Sequence, residues 1–187
     1  MTKLLFFAGS SRKNSVNSKL AQAAAQLSQS FQPDKVFVTL VDLAEFDVPN
    51  FDGASASDAE VPEQVTKLRT LLQAHDGLFI GSDEYTGAYS AILRNLIGWL
   101  ALTSGPEGTA FRNKPVVICG ASARGVGSLR GHPALQQLLV TLGANVISQH
   151  IRLGTAKSAF QPDGKLTESV QKQLLENAVP NLVAAAR

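Results

Sequence analysis

The sequence predicts an α/β protein in which one sheet of five parallel strands is covered by helices on both faces. Two observations carry this. Short apolar runs recur at residues 3–8, 35–41, 77–82, 115–120 and 145–148, and the segments between them repeat apolar residues at helical spacing. Strands that are apolar on both faces belong to buried parallel sheets, and the intervening helices supply the crossovers that parallel strands require. A chain of 187 residues, 44% of them hydrophobic, can bury a substantial core as a single domain over 1–187.

The elements follow in order. KLLFFA (3–8) is a buried strand stopped by Gly9, and the helix after it sets Leu20, Ala24, Leu27 and Phe31 on one face. KVFVTLV (35–41) is the second strand, FDGASASDAE (51–60) reads as a loop, and Val61, Val65, Leu68 and Leu72 mark the second helix. GLFIGS (77–82) is the third strand. The helix AILRNLIGWLAL (91–102) is apolar nearly all round, which calls for cover on more than one side, by the sheet and by an oligomer contact, and places Trp99 in a core or interface. PVVICG (115–120) is the fourth strand, with Cys119 an inert strand residue. Leu135, Leu138, Leu139 and Leu142 mark the fourth helix, and NVIS (145–148) is the fifth strand. A last helix over 166–184 carries Val170, Leu174 and Leu175, with Pro180 marking a kink or fray.

Composition removes several function classes. The net charge is +2 and the 17 basic residues are scattered, so no basic stripe for nucleic acid is present. No apolar run reaches the roughly 20 residues of a membrane span. The N-terminus lacks a signal-peptide pattern, so a cytoplasmic location is expected. One cysteine excludes an internal disulfide and a cysteine-rich metal site. His75, His132 and His150 have no ligand spacing, so no metal is expected and these side chains are assigned surface or cap roles. No G-x-S-x-G elbow marks a hydrolase.

A doubly wound sheet binds ligands at the carboxyl ends of its strands, where the strand order reverses. Three loops lie there: 9–17, 82–90 and 120–130. The first, GSSRKNSVN, combines Gly9, hydroxyls of Ser10, Ser11 and Ser15, the amide of Asn17 and the guanidinium of Arg12. Two readings of it stand side by side. Hydroxyls, backbone N–H groups and one Arg fork suit a terminal phosphate at a helix N-terminus, whereas a polar turn with a Ser or Asn cap explains Ser15 and Asn17 alone. The loop is neither a nucleoside-triphosphate loop nor a dinucleotide fingerprint. The second loop, SDEYTGAYS, offers two aromatics and a glycine against which a planar ligand could lie, or turn aromatics that cover the sheet edge. The third, GASARGVGSLRG, puts glycines and Ser122 at a strand end, and its Gly125, Gly127 and Gly131 follow the strand too late to form a dinucleotide motif.

These stretches together resemble the NAD(P)H-dependent FMN reductase family of flavodoxin-like proteins, which includes quinone, chromate and azo-dye reductases. Gly9, Ser10, Arg12, Ser15 and Asn17 match the family's G-S-x-R-x-x-S-x-N. DLAEFDVPNFD (42–52) and GSLRGHPALQQLLVTLGANV (127–146) match two further segments. The resemblance implies a flavodoxin-like three-layer sandwich with strand order 2-1-3-4-5 and FMN as cofactor, with NADPH or NADH as electron donor. It implies the phosphate on Ser10, Arg12, Ser15 and Asn17, and the ring near Glu84, Tyr85, Thr86, Gly87 and Ser122. A small-molecule electron acceptor and a homodimer or homotetramer follow in the same way.

The second loop departs from the family's P-E-Y-N-x-S-x-P-x-x-L-K-N-x-I-D-W. It keeps Glu84, Tyr85, Leu93, Asn95, Ile97 and Trp99, but has Asp83 for Pro, Thr86 for Asn, Ala88 for Ser, Ser90 for Pro, Arg94 for Lys and Gly98 for Asp. An acid at Asp83 would disfavour a negatively charged reduced flavin if it lay beside the ring. No side chain is needed as acid or base, because the cofactor carries the chemistry. The expected function is an FMN-dependent oxidoreductase. The altered second loop also allows a binding protein that keeps the phosphate cradle without efficient reductase activity. Arg130 is expected at the flavin edge, at a neighbouring subunit or in solvent.

Overall fold

A computed structural model describes the chain except residues 13–14, 53–60, 103–107, 122–127, 155–158 and 164. Its sheet is built on β1 (Thr2–Ala8), β2 (Val36–Val41), β3 (Gly77–Gly81) and β6 (Pro115–Ala121), all parallel, in the order β2-β1-β3-β6. The fifth position is shared by two short strands on the outer side of β6: β7 (Asn145–Val146) lies along Pro115 and Val116, and β8 (Ile151–Leu153) along Cys119–Ala121. The predicted order is therefore found, but the single fifth strand is corrected to two pieces. A second correction is a small antiparallel hairpin, β4 (Glu84–Tyr85) and β5 (Ala88–Tyr89), inside the second loop.

Side-chain alternation along the strands divides the core in two. Leu4, Phe6 and Ala8 face one cluster, together with Phe79, Val117 and Cys119. The rings of Phe6 and Phe79 stack there at 5.0 Å. This face is covered by α1 (Val16–Phe31) and by the C-terminal helices α5 (Glu168–Gln173) and α6 (Val179–Ala185). Leu5, Phe7, Leu78, Ile80, Val116 and Ile118 face the other cluster, under α2 (Glu63–Ala74), α3 (Ala91–Leu102) and α4 (Gly131–Thr141). Alternate residues of each inner strand thus serve both cores, which is why these strands read as unbroken apolar runs. The α1 face deviates at one end, since Phe31 is exposed.

Of the kink or fray expected at Pro180, the fray is not found. A single π-turn at Leu174–Ala178 precedes Pro180, closed by the Val179 N–H on the Leu174 carbonyl, and α6 continues through the proline. Proline brings no N–H to the helical ladder and crowds the preceding turn, and one widened turn accommodates both effects. Among the described residues, no helix is long and apolar enough to cross a membrane.

In α3, Leu93, Leu96, Ile97, Gly98, Trp99 and Leu100 are buried. The helix also clamps the chain at 49–51. Asn95 accepts the Phe51 N–H at 2.6 Å and donates to the Pro49 carbonyl at 3.0 Å, while Trp99 Nε1 donates to that same carbonyl at 2.8 Å. The Phe51 ring stands edge-on to Trp99, and a Cβ at position 98 would lie 2.8 Å from Phe51 Cδ1. Glycine at 98 is what lets this ring seat.

Candidate functional site

The parallel register brings the carboxyl ends of β1, β3 and β6 together, with Ala8 beside Gly81 and Gly81 beside Cys119. The order reverses between β1 and β3, so the loops after these strands open side by side. They are stitched at once: the Gly9 N–H donates to the Gly81 carbonyl at 2.7 Å, and the Ser90 hydroxyl donates to the Gly9 carbonyl at 2.5 Å while accepting from the Leu93 N–H at the start of α3.

In the first loop Ser15 is the N-cap of α1, its hydroxyl accepting from the Ser18 N–H at 3.3 Å, and the helix has no acidic residue in its first turn. Ser10 is buried, and its hydroxyl faces the Arg12 N–H at 3.4 Å. The Arg12 side chain is 61% exposed. Its guanidinium carbon lies 5.8 Å from the centre of the Tyr85 ring, so the first and second loops share one opening. Buried hydroxyls, a helix N-terminus with no acid in its first turn and an exposed guanidinium could hold a terminal phosphate, with Ser15 serving as the cap as well.

Two residues stand elsewhere than the sequence suggests. Asn17, expected on the phosphate, is fully buried. Its oxygen accepts the Ala121 N–H at 2.7 Å and its Nδ2 donates to the Ala121 carbonyl at 3.2 Å and to Asp83 Oδ1 at 2.5 Å. Its amide is fully engaged in joining α1 to the end of β6, so it forms the wall behind the cradle. Asp83, read from the sequence as an acid that would matter to a flavin only if it lay beside the ring, is buried and lies against residues assigned to the phosphate: Oδ1 also accepts from Arg12 Nη2 at 3.1 Å. Its Oδ2 is buried without a hydrogen-bond partner among the described residues.

Asp83 and Glu84 are consecutive acids that each hold an arginine from a different loop. Glu84 Oε2 accepts the Arg130 and Gly131 N–H groups, both at 3.0 Å, at the N-terminus of α4, and Oε1 lies 3.4 Å from Arg130 Nε. The Gly131 N–H above all, with Arg130, holds the Glu84 carboxyl below the usual carboxylate range. Beyond Glu84 the chain turns through Thr86 and Gly87, with φ of +50° and +83°, the two-residue pattern of a type I′ hairpin. A threonine in that region is strained. Tyr85 on this hairpin is exposed and Tyr89 is half-buried. Ser122, the remaining expected contact, lies outside the described residues.

The third loop is fixed by close packing. A Cβ on Gly120 would stand 2.5 Å from His132 Nε2, 2.7 Å from Ser128 Oγ and 2.9 Å from the Ser82 carbonyl, so glycine alone lets α4 approach β6 here. The Ser128 hydroxyl donates to the Ser82 carbonyl at 3.0 Å. His132 is fully buried, which corrects its surface or cap assignment, and its ring stands edge-on to His150. Burial first, then the positive charges of His150 and Arg152, lower its pKa to about 4, with the Cys119 carbonyl and Glu84 pulling weakly the other way. His75 does occupy the cap position of α2, but buried, with its ring nitrogens on the Leu71 carbonyl and the Thr39 hydroxyl. Among the described residues no three metal-ligating side chains cluster. Cys119 is wholly buried, and burial pushes its thiol pKa up, as an inert strand residue requires.

A family model described as NADPH-dependent FMN reductase matches residues 2–157. The chain belongs to this family. Membership brings FMN as cofactor, a reduced nicotinamide as electron donor and an NAD(P)H-dependent reductase activity. Among curated relatives, the NADH:(hydroxy)cinnamate reductase subunit CrdA of Vibrio ruber is 35% identical over 125 residues, covering 65% of this chain and 59% of its own length. A quinone reductase of Pseudomonas putida is 28% identical over 166 residues, 87% of this chain and 83% of the relative. Among solved structures, the flavoenzyme NAD(P)H:(acceptor) oxidoreductase FerB of Paracoccus denitrificans superposes with a TM-score of 0.79 at 23% identity, covering 100% of this chain and 97% of FerB. FerB therefore shares the flavodoxin-like fold.

Proposed function

We propose that this FMN reductase family member passes electrons from NADPH or NADH to a quinone, free flavin or another small acceptor. The observation that carries the reading is the convergence of Ser10, Arg12 and Ser15 at the N-terminus of α1 with the Glu84–Tyr89 hairpin, at the point where the sheet order reverses. The quinone reductase relative supports the acceptor class.

In this reading Ser10, Arg12, Ser15 and the first N–H groups of α1 hold the flavin phosphate. The backbone of Tyr85, Thr86 and Gly87 would hold the ring. When bound, FMN supplies hydride acceptance and onward electron transfer, and the protein supplies position and electrostatics. Asn17 positions the cradle by tying α1 to β6, and Glu84 positions the hairpin by gripping the start of α4. No side chain is assigned as a proton donor or acceptor. Ser122 remains assigned to the ring side. The family resemblance extends this reading to a homodimer or homotetramer.

The test is an equilibrium titration of FMN fluorescence with the protein, followed by NADPH and NADH oxidation with FMN and benzoquinone present. Quenching with quinone-dependent nicotinamide oxidation is expected. A protein that neither quenches FMN nor oxidises nicotinamide would refute the reading.

A further inference from the structure

The cradle contains its own anion. Asp83 is 5% exposed, and its carboxylate holds Arg12 Nη2 at 3.1 Å and Asn17 Nδ2 at 2.5 Å through one oxygen, while the other is buried without a partner among the described residues. A buried carboxylate oxygen without a hydrogen bond is costly and marks a position that a donor or a rearrangement would relieve. Arg12 supplies the guanidinium of the first loop, and Asp83 pairs with it. The second arginine at this edge, Arg130, is held in the same way by Glu84.

We propose that Asp83 is an internal counter-ion which a flavin phosphate must displace from Arg12, so that the phosphate adds little affinity and FMN exchanges readily with solution. The inference rests on the reading of the first loop as the phosphate cradle. A phosphate monoester carries about 1.5 to 2 negative charges at neutral pH. In a cradle with Arg12 free it gains a full charge-assisted contact. Here it exchanges one anion for another on the same guanidinium, and the displaced carboxylate stays close, fixed by the β3 backbone and by Asn17. Selectivity for FMN over riboflavin is therefore small. The phosphate thus does little to retain the flavin, and Asp83 determines specificity through its charge.

The experiment measures the dissociation constants of FMN and riboflavin by fluorescence for the parent protein and for Asp83→Asn, which keeps the shape and removes the charge. The parent is expected to prefer FMN by less than about tenfold. Asp83→Asn is expected to tighten FMN by about tenfold or more, the scale of one hydrogen bond to a charged group, and to leave riboflavin within about twofold. An unchanged or weakened FMN affinity in the variant, or an equal gain for both ligands, overturns the proposal. So does a parent preference for FMN above about a hundredfold, which requires no variant. Inorganic phosphate, titrated against both proteins by phosphorus NMR line width, separates this from the functional reading. If neither flavin binds, that reading fails, while tighter phosphate binding by Asp83→Asn still supports the counter-ion and equal binding overturns it.

Discussion

The Asn17 side chain bonds both backbone polar groups of Ala121, accepting the N–H at 2.7 Å and donating to the carbonyl at 3.2 Å. A carboxamide here acts as a substitute strand: it completes the end of β6 and anchors the first turn of α1 across the sheet. Its removal leaves a buried N–H and carbonyl unsatisfied, at about 1 to 3 kcal/mol for each such group.

Asn17→Ala is therefore expected to destabilise the fold by about 2 to 4 kcal/mol. Urea unfolding measures this, and a loss under 1 kcal/mol would show that the clasp is replaceable.

His132 gives an acid-side stability signature. Its pKa in the fold is about 4 against an ordinary 6.5, so the unfolded chain binds the proton first as pH falls. This contribution is whole above 6.5, declines between 6.5 and 4 and levels off below. The loss from pH 7.5 to 5 is about 2 kcal/mol. His132→Leu should flatten the pH dependence of urea unfolding by that amount, and an unaltered slope would assign the acid sensitivity to other groups.

Thr86 is a β-branched residue at φ +50° in a two-residue turn. Thr86→Asn, which tolerates this region, should stabilise the protein by about 0.5 to 1 kcal/mol. Thermal unfolding of the variant would reveal a raised midpoint, and a lowered one would mean that the threonine side chain makes a compensating contact.

Gly98 and Phe51 should be energetically coupled. Gly98→Ala sets a methyl against Phe51, its Cβ falling 2.8 Å from Cδ1, and is expected to cost about 1 to 3 kcal/mol. In a Phe51→Ala background most of that cost should vanish. Trp99, the one tryptophan, donates to Pro49 beside this contact, so its emission should shift in Gly98→Ala and return in the double variant. Additive effects would argue against a direct clash.

The sequence made the inner sheet legible because β1, β3 and β6 are buried on both faces, which leaves an unbroken apolar imprint. The hairpin was hidden by its turn: Thr-Gly is a poor advertisement for two positive φ values, which Asn-Gly or Asp-Gly would have announced. NVIS was legible as a strand, but nothing in Ile147–His150 shows that the chain breaks off before pairing again at Ile151. At the site, the sequence shows the meeting of a hydroxyl-rich loop with a helix N-terminus, because Ser10, Arg12 and Ser15 lie within six residues of each other. The bonds of Asn17 and Asp83 were not legible because their partners are distant in sequence, Ala121 for one and Arg12 for the other. A side chain that could cap, bind an anion or clasp a backbone looks the same until that partner is known.

The broken fifth strand also governs how the sheet meets its surroundings. A sheet widens only where a visiting strand finds an unbroken row of backbone donors and acceptors in step. Outside β6 that row is covered by pieces of two and three residues, interrupted between Val146 and Ile151. Outside β1, by contrast, β2 presents six consecutive residues with Phe37 and Leu40 exposed. Recruitment of a strand from another molecule is thus open along one border and barred along the other, and the barred border is the one next to the strand that leads into Ser128 and Arg130.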